Sequence, residues 1–164
     1  VEALKGFFDD VCKHPQSKFG STDIDASKDI NTIGTNIKPG ELIVRFTTKA
    51  NSILIQKYGK SAVSKDASGA TKDTGSGVVS EVWLEGAAGD AQAAKLLARV
   101  AFHELMHNKI DAMVSSKDIH GTDDGTGLAV SPVGTGDTLS NQNKLNMAPK
   151  LGSVVPQFSG ATIP

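Results

Sequence analysis

The sequence predicts a compact α+β domain, with a small mixed sheet whose edge strand packs on a central helix. Three observations point there. Residues 90–114 carry a long helical pattern free of Gly and Pro. Two short runs with strand character, 41–47 (E-L-I-V-R-F-T) and 78–85 (V-V-S-E-V-W-L-E), precede it. The 164 residues suit a single domain, 1–164, long enough to bury a core without staples.

Taken in order, residues 1–13 read as an amphipathic helix. Leu4, Phe7, Phe8 and Val11 recur at helical spacing, and His14-Pro15 ends the run. Residues 16–39 are polar and irregular. Pro39-Gly40 marks a turn into the first strand. Residues 51–58 read as a short helix. Residues 59–77, rich in Ser, Gly, Lys and Asp, read as a solvated loop.

In 78–85 the alternation puts Glu81, Trp83 and Glu85 on one face and Val78, Val82 and Leu84 on the other. A charged face predicts a strand exposed on one side, at the sheet edge. Gly86 and Gly89 break the chain, and Asp90 is a suitable N-cap for the long helix. Beyond Ser115 the chain is rich in Gly, Asp, Ser and Thr until about Asn143. Residues 144–155 suit a short helix or strand.

Charge and composition exclude several classes. The formal net charge of -1 gives no global case for nucleic acid or an anionic membrane surface. No apolar run is long enough to span a bilayer. Cys12 is the one cysteine, so no intrachain disulfide can form. The N-terminus, V-E-A-L-K-G-F-F-D-D, lacks the layout of a secretory signal. A chain starting at Val1 is compatible with a piece of a longer protein. Location therefore stays open, with signal-independent secretion as one route.

The chemistry concentrates in F-H-E-L-M-H, residues 102–107. Positions four apart lie one above the other on a helix. His103 and His107 can therefore aim two imidazole nitrogens at one zinc ion, each at about 2.0–2.1 Å. Glu104 lies roughly 100° round the axis. Its carboxylate falls beside the ion, placed to take a proton from an activated water. The surrounding helix is apolar almost all round, so it runs through the middle of the domain. Two bare histidines and a glutamate would be costly there, and a metal resolves the cost. The plainer alternative is a metal-free helix whose two histidines bond backbone carbonyls.

A catalytic zinc takes three protein ligands and keeps one open position. No glutamate follows Glu104, so the candidates downstream are His120 and the aspartates at 111, 118, 123, 124 and 137. His120 is the first choice, because zinc favours imidazole. Asp124 and Asp123 are the alternatives. Asp111, one turn past His107, suits a supporting position.

With His103-Glu104-x-x-His107 followed by His120-Gly121, the chain resembles the zincin metallopeptidases. It departs from the metzincin pattern, with Ile110 where the glycine belongs and Met113 where the third histidine belongs. The later His-Gly is more similar to the SprT/Spartan type, whose third ligand is a histidine beyond the helix. Gly121-Thr122-Asp123-Asp124 is similar to the G-T-x-D element of the deuterolysin-like aspzincins, in which that Asp binds zinc. There Gly127 and Leu128 replace the expected Tyr-Gly.

The resemblance covers residues 78–124. It implies a zinc-dependent endopeptidase with a polypeptide substrate and a sheet whose edge strand holds that substrate extended. Met147, in N-M-A-P, would then be a floor beneath the zinc. A compact zincin with one cysteine and no signal also resembles the metallopeptidase domains of bacterial secretion-system effectors, tethered to a larger delivery protein. In the mechanism so implied, zinc on His103, His107 and His120 activates a water and Glu104 serves as general base. Tyr58, the only tyrosine, is the one phenolic candidate for an oxyanion donor. Two rivals use the same motif: a zinc amidase acting on cell walls, and a binding domain closed around structural zinc.

Overall fold

The computed structural model describes residues 2–15, 43–73, 78–108, 127–130, 132–154 and 161–162. In chain order these form α1 (Glu2–Cys12), β1 (Ile43–Thr47), α2 (Ile53–Tyr58), β2 (Gly69–Asp73), β3 (Val78–Trp83), α3 (Ala93–Met106), α4 (Asn141–Val154) and β4 (Ala161–Thr162). The fold is α+β. Its mixed sheet runs β2-β3-β1-β4, with β1 parallel to β3 and β4, and β2 antiparallel to β3. Among the described residues, no helix is long and apolar enough to cross a membrane.

Alternation along the strands splits the sheet into two faces. Val44, Phe46 and Val82 join one core cluster with α3, and that cluster also takes in α1 and α4. The aromatic spacing read in α1 is used directly. Phe7 and Phe8 pack their rings on Phe102 of α3, with centroids 5.6 and 5.0 Å apart. Phe102 is fully buried. Cutting it to Ala would cost about 3–5 kcal/mol by lost transfer energy and cavity formation. An ion pair from Lys144 to Asp10, 2.7 Å, ties α4 to α1.

Three expectations are corrected. The strand at 78–83 is internal, paired by β2 on one side and β1 on the other, and Glu81 and Trp83 are fully buried. Glu81 belongs inside because its partners arrive from elsewhere. Arg45 Nη1 donates at 3.0 Å and the Ile53 N–H at 2.9 Å, and the Ser52 hydroxyl and Trp83 indole N–H also donate to it. Ser52 is at the same time the N-cap of α2, accepting from the Ile55 N–H.

The second correction is β2, which lies inside the region expected to be loop. G-A-T-K-D has little strand propensity of its own. Its pairing with β3 makes it the edge strand. The third is the start of α3, which begins at Ala93 rather than just after Asp90. Asp90 instead accepts from the Gln92 N–H at 2.6 Å, capping the turn before the helix.

Candidate active site

Helix α3 carries the motif across its last turn. His103 and Glu104 are 5% and 6% exposed, so the helix does run through the interior. The two imidazoles meet with Nε2 to Nε2 at 3.2 Å, their rings near perpendicular with centroids 4.8 Å apart. Two nitrogens bound to one tetrahedral zinc at the usual length would lie about 3.3–3.4 Å apart. The pair therefore has the spacing that a shared ion requires.

A backbone carbonyl decides the tautomer of His103. Its Nδ1 lies 2.6 Å from Leu128 O, and a carbonyl can only accept. Nδ1 thus carries the proton, and in the neutral ring the Nε2 lone pair faces His107. Leu128 is itself fixed. It sits in a short 3-10 turn, Gly127–Ala129, and its N–H donates to Asn143 Oδ1 at 3.0 Å. Asn143 is fully buried on α4. Gly127 makes this approach possible: its φ is +55°, and a Cβ there would stand 2.5 Å from Thr138 O and 2.7 Å from Asn143 Oδ1.

Glu104 turns to the sheet edge. Thr71 of β2 donates to its Oε2 at 2.8 Å, and the same hydroxyl stands 2.8 Å from the Glu104 carbonyl. Ser80 of β3 lies 2.9 Å from the Thr71 hydroxyl and 3.2 Å from that carbonyl. That carbonyl also accepts from the His107 N–H at the end of the helix, so the hydroxyls add to a bond the helix already makes. With one proton each, Thr71 can serve the carboxylate while Ser80 serves the carbonyl. Gly69 lets the carboxylate lie against the strand, since a Cβ there would come 2.7 Å from Glu104 Oε1.

Residues 107–108 take a π turn, and Asn108 Nδ2 donates to Val78 O at 3.2 Å. The helix end is thereby pinned to the start of β3. Such turns recur at functional sites.

Among the described residues, no three His, Cys, Asp or Glu side chains converge as a ligand set, so Glu104 does not complete a triad with the histidines. The expected third ligand, His120, and its alternatives Asp123 and Asp124 lie outside the described residues, as does Asp111. Tyr58 is committed elsewhere, its hydroxyl donating to Asp73 O at 2.5 Å at the end of β2. Met147 is fully buried in the core cluster on α4. Sequence reasoning missed Gly69, Thr71, Ser80, Leu128 and Asn143. The signal for the first two would have been recognising G-A-T-K-D as a strand next to the motif helix.

No family model matches the chain, and no curated protein or solved structure matches it. The functional reading therefore rests on the site alone.

Proposed function

We propose that the chain is a zinc-dependent endopeptidase of zincin type that hydrolyses peptide bonds with Glu104 as general base. One observation carries the reading: two imidazole Nε2 atoms 3.2 Å apart, one of them with its tautomer set by Leu128 O. A neutral His with its far nitrogen tied to a carbonyl is how proteins prepare a metal ligand. Without a metal the same approach is a hydrogen bond from a His107 Nε2–H to the His103 Nε2 lone pair, so zinc content is what separates the two readings.

His103 and His107 would hold the zinc through Nε2, with His120 as the proposed third ligand and Asp124 or Asp123 as its alternatives. When bound, zinc supplies Lewis-acid polarisation of a water and of the scissile carbonyl. The chain's own residues do the rest. Glu104 accepts the proton of the attacking water and delivers it to the leaving amine. Thr71 holds one carboxylate oxygen at 2.8 Å, which sets the plane in which the carboxylate meets that water. Burial of Glu104 and His103 keeps bulk water away from the proton's path.

The test is elemental analysis of the purified chain after dialysis against a weak chelator, followed by turnover on unfolded protein substrates. About one zinc per chain is expected, since a site of this type holds one ion. Glu104→Gln should keep the zinc and lower turnover by about 100-fold or more, the usual share of a general base. No zinc uptake by the folded chain, or full turnover by Glu104→Gln, sinks the proposal.

A further inference from the structure

A second concavity lies on the other face of the sheet. Glu81 and Trp83 alternate with Val82, so they point away from α3 toward α2, where Ser52 and Ile53 reach Glu81. Beside them is a cavity of about 700 Å³. It is lined by the apolar side chains of Ala50, Ile55 and Val63 and by Lys49, Lys60 and Lys65. Among the described residues, no aspartate or glutamate lines it. In a chain of net charge -1 this gathers three cations with no carboxylate among the described lining residues. Among the described residues none of the three forms an ion pair.

Lys49 is held in place by the protein itself. Its Nζ donates to Lys65 O at 3.0 Å and stands 5.2 Å from the centre of the Trp83 ring. Its backbone N–H donates to the Glu85 carboxylate at 2.9 Å. The ammonium is thus ordered over the aromatic face, with donors left beyond the one bond to Lys65. An ordered cation loses less entropy on meeting an anion than a waving one.

We infer that this cavity binds a small organic anion with an extended apolar body, its carboxylate on Lys49, Lys60 and Lys65 and its hydrocarbon against Ala50, Ile55 and Val63. The volume is that of a small-molecule site. A protein partner would need a contact of about 800 Å² on each side. The lining divides the ligand: lysines demand the charge, and the aliphatic side chains demand the tail. The site stands apart from the histidine pair and does not depend on zinc.

Decanoate is the probe, titrated by calorimetry into the full chain, with the indole of Trp83 followed by fluorescence. Trp83 is the sole tryptophan, so its signal reports the Lys49 contact without ambiguity. Saturable one-to-one binding is expected, with a dissociation constant on the order of 100 µM for a ligand of this size. Replacing Lys49, Lys60 and Lys65 together by Gln should weaken it by roughly tenfold or more, as loss of charge-assisted bonds does. Val63→Asp should also weaken it, while the chain keeps its circular dichroism spectrum. Equal binding of decanol would show that the lysines play no part, and equal binding of a hexaglutamate peptide that the apolar side chains play none. Either result overturns the inference, as does unchanged decanoate binding by the triple Gln variant or the absence of any saturable signal.

Discussion

The sheet buries two glutamates, one on each face, and they are held in opposite ways. Glu81 meets a full set of donors: Arg45, the Ile53 N–H, Ser52 and the Trp83 indole. Glu104, one layer away, is met by the Thr71 hydroxyl and lies against the bare backbone of Gly69. A carboxylate locked to a guanidinium and an amide cannot be removed without leaving the cation buried and unpaired in a dry site. The Thr71 hydroxyl at Glu104 can donate or accept with a turn of its O–H, so it can follow the proton transfer of the proposed mechanism. The same side chain is a rivet on one face and, in the proposed function, the general base on the other.

The sharpest way to break this contrast is to truncate each in turn. Glu81→Ala should destabilise the fold by about 3–5 kcal/mol in urea unfolding, because Arg45 is left buried without its counter-charge. Glu104→Gln should stay within about 1 kcal/mol of the parent, since an amide still takes the Thr71 hydrogen bond. If the two variants unfold at the same urea concentration, the distinction between the glutamates is wrong.

Gly69→Ala comes next. The new Cβ would meet Glu104 Oε1 at 2.7 Å and Glu81 O at 2.7 Å. The carboxylate can swing, but the β3 backbone cannot. A loss of about 1–3 kcal/mol is expected, the usual cost of overpacking. Turnover should fall with it, because Glu104 is the side chain that has to move. A variant as stable and active as the parent would show that the carboxylate does not rest on the edge strand.

How much of this could be read from the chain depends on how far apart the partners lie. α1, α2, β1 and the motif helix were predicted because their signals are local: helical spacing in Leu4, Phe7, Phe8 and Val11, and an apolar run from Ile43. Glu81 was placed on an exposed face because its partner Arg45 lies 36 residues upstream. Alternation gives a side chain's face, and tertiary packing alone gives its burial. β2 was missed for a related reason: only pairing with β3 makes G-A-T-K-D a strand. Within the site, His103, Glu104 and His107 were legible as a spacing. The groups that orient them, Thr71, Leu128 and Asn143, come from segments brought in by the fold.

Thr71→Val, an isosteric loss of the hydroxyl, sharpens the contrast at a smaller scale. It removes a bond to a buried carboxylate worth about 1.5–3 kcal/mol at the charged limit. Only part should appear as stability, because Ser80 remains near the Glu104 carbonyl. With the donor gone, the charged carboxylate is less favoured, so the acidic limb of the pH-rate profile should move to higher pH. Thr71→Ser should restore the limb. A loss of stability with an unmoved limb would make Thr71 a structural brace alone.

The smallest effect belongs to the surface pair between α1 and α4. Lys144, bonded at 2.7 Å, holds the Asp10 carboxyl below its ordinary range, the hydrogen bond acting first and charge adding to it. A carboxyl lowered in the folded state stabilises the fold above its unfolded pKa and loses that contribution as the pH falls through the folded value. The side chain is 42% exposed, so solvent screens the pair and leaves a few tenths of a kcal/mol. Asp10→Asn should therefore lower stability slightly at neutral pH and match the parent in strong acid, with high salt closing the gap at neutral pH. A difference that persists in acid would mean that Asp10 acts through packing on α4 rather than through its charge, and the two helices would then be joined more tightly than an exposed ion pair allows.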